Sequence, residues 1–159
     1  MRIFVDADSC RRDARELVFR SAVRLGIKAV FVANRMIPGL PADSLSAEAA
    51  ALMELCSNEE GAADDRIVAL AKPGDLVLTR DLPLAERLVN AGVAALDDRG
   101  RVFTEENIRE QRSLRDFAVD LAKSGMGMER TASYSRKDFK KLADSLDREL
   151  AKFKKQEHP

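Results

Sequence analysis

Apolar residues in this chain fall into short β-branched or aromatic runs, separated by stretches in which they recur every three or four positions. The first run is Ile3-Phe4-Val5. Its composition predicts a buried strand that stops at Asp6. A helical pattern follows, with Leu17, Val18, Ser21, Ala22 and Leu25 on one face and Gly26 as its stop. Asp8 or Ser9 is placed to cap that helix, because either side chain can accept a bond from an unpaired first-turn N–H. Lys28 to Ala33 predicts a second strand, and Asn34 to Ala42, with Pro38, Gly39 and Pro41, predicts a loop. Ser46 to Leu55 has strong helix propensity, with a short strand near Leu52 to Cys56 as the rival.

Asn58 to Gly61 breaks the chain. Ala62 to Ala71 then predicts a helix that opens with Asp64 and Asp65, which suits the helix macrodipole. After the Pro73-Gly74 turn, Asp75 to Thr79 predicts a buried strand running into Arg80-Asp81. Pro83 fits the first turn of a helix reaching Asn90, and Gly92 stops it. Val93 to Leu96 predicts a last short strand before a turn at Asp97 to Gly100. The remainder reads as helical: Glu105 to Lys123, capped by Thr104, and Arg136 to about Lys155, opened by Ser135 with Asp138. On the last helix Phe139, Leu142, Leu146, Leu150 and Phe153 form a stripe that reads as a face packed on the body, with a partner site as the rival. Residues 125–134 predict a loop. The order β-α-β-(α/β)-α-β-α-β implies an α/β fold, with a mainly parallel sheet, helices on both faces and additional C-terminal helices. Residues 1–159 read as one domain, in which 104–159 form a helical extension packed on it.

Composition narrows the function. With 45% hydrophobic and 34% charged residues the chain is globular rather than disordered. Aromatics are only 5% and Trp is absent, so no stacking platform for single-stranded nucleic acid is evident. Net charge is zero, but residues 1–100 carry 13 basic and 16 acidic side chains and residues 101–159 carry 14 and 11. That offset allows a carboxylate site beside a basic surface. The two cysteines, Cys10 and Cys56, form no C-x-x-C and no cluster with His, which argues against zinc or a disulfide framework and for a reducing compartment, the cytoplasm. Cys10 reads as a small buried side chain rather than a reactive thiol, and His158 as a bystander near the end. No apolar run approaches the ~18 residues that would span a membrane, and a chain that enters a strand at once leaves no room for a signal peptide.

The candidate chemistry lies in the acids. Asp6 and Asp81 each follow an apolar strand and precede a helix, and Asp64-Asp65 open an intervening helix. A doubly wound sheet can bring all three places to one edge. Carboxylates so placed repel one another unless a cation or a proton intervenes. Clustered carboxylate oxygens suit hard divalent cations, Mg²⁺ or Mn²⁺, and such ions serve phosphodiester cleavage. Arg11, Arg12, Arg80 and Asn34 are candidates to meet phosphate at the strand ends, against the default of solvent-facing side chains.

Val5-Asp6-Ala7-Asp8-Ser9-Cys10, Val32-Ala33-Asn34, Ala63-Asp64-Asp65, the segment from Gly74 to Ala85 and Arg115-Asp116-Phe117 together resemble the YaiI/YqxD family of bacterial proteins, over nearly the whole chain. That family is assigned by similarity to a PIN-like nuclease architecture. The resemblance implies a PIN-like fold, an acidic site of Asp6, Asp64 and Asp81 with Asp8 and Thr79 beside it, and a strand near Leu52 to Cys56 in place of the helix that propensity favours. In this reading Asp6, Asp64 and Asp81 hold Mg²⁺ or Mn²⁺. Asp8 is a further ligand or orients the attacking water, and Thr79 hydrogen-bonds a carboxylate from behind. Asp65 is the candidate for a further acid, and RNA is the expected substrate. The chain departs from the family pattern at Asp97-Asp98, where the family has Asn-Pro, and at Gly127 to Arg130. The rival expectations are a non-catalytic binding module on the same fold and a small-molecule phosphohydrolase.

Overall fold

Strands buried on both faces read as unbroken apolar runs, and Ile3, Phe4 and Val5 are wholly excluded from solvent. They belong to β1 (Arg2–Asp6) at the centre of the sheet. The computed structural model describes residues 1–38, 51–126 and 133–157. Along the chain β1 is followed by α1 (Arg12–Leu25), β2 (Lys28–Ala33), β3 (Ala51–Leu55), α2 (Ala62–Leu70), β4 (Leu76–Leu78), α3 (Leu82–Asn90), β5 (Ala94–Leu96), α4 (Glu105–Lys123) and α5 (Arg136–Glu157). The sheet has the order β3-β2-β1-β4-β5, and every pairing is parallel. This is the α/β architecture that the element order implies.

The two-residue period of a strand sends alternate side chains to opposite layers. Ile3, Val5, Phe31 and Leu78 pack beneath α1 and α5, against Val18, Leu142 and Leu146. Phe4, Val32 and Val77 pack on the other face against Ile67 of α2, Leu84 and Leu88 of α3 and Ile108 of α4. The leucine stripe of α5 is thus part of the main core.

The chain steps outward from β1 through β2 to β3, then returns to lay β4 on the other flank of β1. After β1 it turns into α1 on one face, and after β4 into α3 on the other. Connections that diverge in this way open a crevice at the carboxyl ends of the two strands. The register Val5↔Leu78 sets Asp6 beside Thr79 at its floor.

Two local expectations are corrected. Asp8 and Ser9 do not cap α1. The Ser9 and Cys10 N–H groups both donate to the Asp6 carbonyl at 3.2 Å, so the chain makes a turn before the helix. The helix therefore starts later, with Arg11 at its N-cap and no side-chain cap bond. Propensity also misreads residues 51–55. They form β3, in register with β2 from Ala29↔Ala51 to Ala33↔Leu55, because edge pairing outweighs the helical preference of Ala, Leu and Glu. The strand implied by the family resemblance is the one observed. Residues 46–50, most of the 125–134 loop and His158 lie outside the described residues. The Thr104 cap is present, reciprocated by Asn107, and the Ser135 and Asp138 side chains bond each other's backbone N–H.

Away from the crevice, buried polar groups tie the layers together. Asp75, 5% exposed, accepts the Arg2 backbone N–H at 2.8 Å, the Arg2 guanidinium at 2.7 Å and the Lys72 N–H at 3.1 Å. Gly100, at φ +85°, lies against α5: a Cβ built there would stand 2.5 Å from the Lys141 carbonyl. Its own carbonyl accepts the Ser145 hydroxyl at 2.7 Å. Among the described residues no helix is long and apolar enough to cross a membrane.

Candidate functional site

Asp6 is the last residue of β1 and is 4% exposed. Burial pushes its carboxyl pKa up; hydrogen bonds from Thr79 and Ser9 oppose the shift, and the charges of Asp81 and Asp8 add to it. Thr79, wholly buried, donates its hydroxyl to Asp6 Oδ2 at 2.8 Å. The Thr79 hydroxyl oxygen in turn accepts the Asp81 backbone N–H at 3.0 Å. One hydroxyl therefore links the acids at the ends of both strands. Asp81 is the N-cap of α3, and its Oδ1 accepts the Leu84 N–H at 2.9 Å.

Asp64 stands in the first turn of α2, which starts after Gly61. Its pKa is raised from 3.8 to about 6, first by burial and then by the charges of Asp81 and Asp6, with Arg87 opposing. Asp6, Asp8, Asp64 and Asp81 line one pocket of about 290 Å³, together with Asn34. Asp8 sits at its rim: Oδ2 accepts the Asn34 N–H at 2.9 Å and Oδ1 lies 3.9 Å from Arg35 Nε.

The remaining candidates are placed elsewhere. Asp65 is exposed and pairs with Arg87 at 2.9 Å. Arg12 pairs with Glu16 at 3.1 Å along the exposed side of α1. Arg11 pairs with Asp13 at 3.3 Å, and its guanidinium stacks 4.3 Å from the Tyr134 ring. Arg80 lies beside the pocket, 3.6 Å from Asp98, a carboxylate that is only 1% exposed. Cys10 is buried, its thiol pKa pushed up by desolvation, so it is not a ready nucleophile.

Sequence reasoning overlooked three lining residues, Asn58, Glu59 and Glu60. The signal was available: an acidic pair immediately before a helix whose first turn carries Asp64. Ser9 has the sequence position of a cap. Its hydroxyl instead accepts the Arg80 N–H at 3.1 Å and holds the two loops together.

The donor set is all oxygen and largely anionic, the type that suits Mg²⁺ or Mn²⁺. Among the described residues no three His, Cys, Asp or Glu side chains are grouped closely enough to hold a metal ion as they stand. The residues fit such an ion in open form, on one or two carboxylates with water and phosphate oxygens completing the shell, as Mg²⁺ commonly binds.

The strain on Asp64 has a measurable consequence. Its folded pKa lies above its unfolded value, so the folded protein binds that proton more tightly. The associated stability is fully present below about pH 4 and is lost as pH rises through about 6. Allowing for partial exposure, the loss is about 1–2 kcal/mol. Urea denaturation in EDTA at several pH values should show it in the wild type and not in Asp64→Asn. Parallel profiles for the two proteins would mean that Asp64 does not feel its neighbours.

Sequence comparison adds the family. A sequence model described as "Uncharacterized BCR, YaiI/YqxD family" matches residues 4–152. The chain belongs to the YaiI/YqxD family. A UPF0178 protein of Treponema pallidum (strain Nichols) is 47% identical over 152 residues, covering 96% of this chain and 82% of that one. Another from Treponema denticola is 39% identical over 99% of this chain and 97% of its own length. A third, from Geobacter metallireducens, is 40% identical over 100% and 99%. No solved structure matches. The YaiI/YqxD match takes in β1 through most of α5, and with them every acid of the pocket.

Proposed function

We propose that this YaiI/YqxD protein is a divalent-metal-dependent phosphodiesterase that cleaves single-stranded RNA. The observation that carries this reading is the convergence of Asp6, Asp64 and Asp81 on one pocket at the switch point of the sheet, where burial and its neighbours' charge raise the Asp64 pKa to about 6. Repulsion of this kind costs stability, and a bound cation relieves it. Asp6, Asp64 and Asp81 would hold Mg²⁺ or Mn²⁺, one or two of them directly and the rest through water. Bound there, the ion would neutralise charge on a phosphate and lower the pKa of a water for attack on phosphorus.

The chain's own residues prepare the site. Thr79 fixes the Asp6 carboxylate and, through the Asp81 N–H, the start of α3. The Asn34 N–H and the Arg35 guanidinium hold Asp8 at the rim, where its carboxylate can orient a water or accept its proton. The first turn of α2 directs the positive end of a helix dipole toward the pocket, which Ala62 and Ala63 help to line.

A labelled RNA ladder tests the reading. Slow cleavage is expected with Mn²⁺, less with Mg²⁺ and none in EDTA. A second reading, a binding module that retains the acids without catalysis, is favoured by the spacing of the carboxylates, none of which are grouped in threes among the described residues. No cleavage, together with no Mn²⁺ uptake by calorimetry, would decide for that reading.

A further inference from the structure

A second cavity, of about 610 Å³, adjoins the acidic pocket and shares Ser9 and Asp81 with it. Its far wall comes from α4, through Gln111 and Arg115, and Arg80 lines it from the β4–α3 turn. Gln111 and Arg115 are four residues apart and so lie on one face of that helix. Neither is paired. The Gln111 Nε2 is buried and donates to nothing. Arg115 makes no ion pair among the described residues, although Arg109 and Arg112 of the same helix pair with Glu105 and Glu86. Arg80 is held only loosely, 3.6 Å from Asp98.

The molecule thus places an acidic pocket beside a cleft in which Gln111 Nε2 and Arg115 have no partner among the described residues, with Asp81 on the boundary. Hydrogen-bond donors and guanidinium groups without partners fit anionic oxygens. A cation in the acidic pocket would draw one phosphate, and the adjoining cleft offers donors to the next along the strand. Aromatic side chains are absent from the cleft lining, so the backbone rather than the bases is what this surface can grip.

Building on the phosphodiesterase reading, we propose that the cleft between the β4–α3 turn and α4 is the track for the RNA backbone flanking the scissile phosphate. Arg115 and Arg80 face phosphates there, and the Gln111 amide donates to a phosphate or ribose oxygen. These are binding and positioning residues, and none of them touches the reacting atoms.

The probe is a fluorescein-labelled single-stranded RNA of about 12 nucleotides, followed by anisotropy in Ca²⁺ across a KCl series, with cleavage in Mn²⁺ measured in parallel. Each phosphate contact to a single strand contributes about 0.7 to the slope of log affinity against log salt. Arg115→Ala should lower the slope by about that amount, and Arg115→Glu should weaken binding at least about tenfold. Gln111→Leu should weaken binding about threefold while leaving the melting temperature equal or higher, since it removes a buried donor that has no partner. In cleavage, Arg115→Ala should raise KM and leave kcat nearly unchanged. If the wild type binds RNA and Arg115→Glu matches it with the same slope, the track is wrong; cleavage by both in Mn²⁺ would leave the phosphodiesterase reading standing. A fall in melting temperature for Gln111→Leu would make that residue structural and remove it from the track. If the wild type neither binds nor cleaves RNA, both readings fail together.

Discussion

Asp81→Asn should abolish Mn²⁺-dependent RNA cleavage, by about 100-fold or more, and leave the protein folded. The substitution removes one charge and keeps the shape. It also keeps the helix cap, because Asn caps as well as Asp and its carbonyl can accept the Leu84 N–H as Asp81 Oδ1 does. The thermal midpoint should be unchanged or slightly raised, since one of the charges that load Asp6 and Asp64 is gone. Asp81→Ala should lose both properties, cleavage and about 1 kcal/mol of cap. Wild type and both variants, purified identically, are compared on an RNA ladder and by thermal denaturation. Equal cleavage by all three would trace the activity to a contaminant. A destabilisation of Asp81→Asn as large as that of Asp81→Ala would show that the charge itself is structural.

Gly100→Ala should cost about 3 kcal/mol or more, which at this size lowers the melting temperature by roughly 10 °C. Two effects combine. A residue with a side chain is strained at φ +85°, and the new Cβ would meet the Lys141 carbonyl at 2.5 Å. The obstacle is backbone of α5, whose Leu142, Leu146 and Leu150 sit in the core, so it cannot move aside cheaply. Gly26→Ala is the control. Gly26 also has positive φ, at +65°, but nothing lies within 4 Å of its Cβ position, so about 1 kcal/mol is expected. Similar losses for the two variants would show that φ strain alone accounts for the effect and that α5 yields.

The strands that carry the site were legible because burial on both faces leaves unbroken apolar runs, as in Ile3-Phe4-Val5 and Leu76-Val77-Leu78. The acids at their ends stood out in turn, because Asp6 stops the first run and Asp81 closes the short polar step from β4 into α3. What failed was local chemistry decided by distant partners. Residues 51–55 carry a helical composition, and only the exposed edge of β2 makes them a strand. Asp8 has the spacing of a cap, yet its carboxylate is claimed by the Asn34 N–H across the crevice. Arg11 resembles a phosphate ligand until Tyr134 and Asp13 take its guanidinium. Gln111 carries no signal on a charged helix, and Arg115 none beyond its place in the Arg115-Asp116-Phe117 segment. They gain meaning only because α4 lays that face beside Asp81.

A cation site formed by Asp6, Asp64 and Asp81 would show itself in crystals grown or soaked in Mn²⁺ and measured for anomalous scattering. A peak is expected in the pocket between these carboxylates, within about 2.0–2.6 Å of at least one carboxylate oxygen and with waters in the remaining positions. The peak should be absent in Asp81→Asn crystals treated in the same way. An empty pocket in the wild type at saturating Mn²⁺, or a peak that persists in the variant, would contradict such a site.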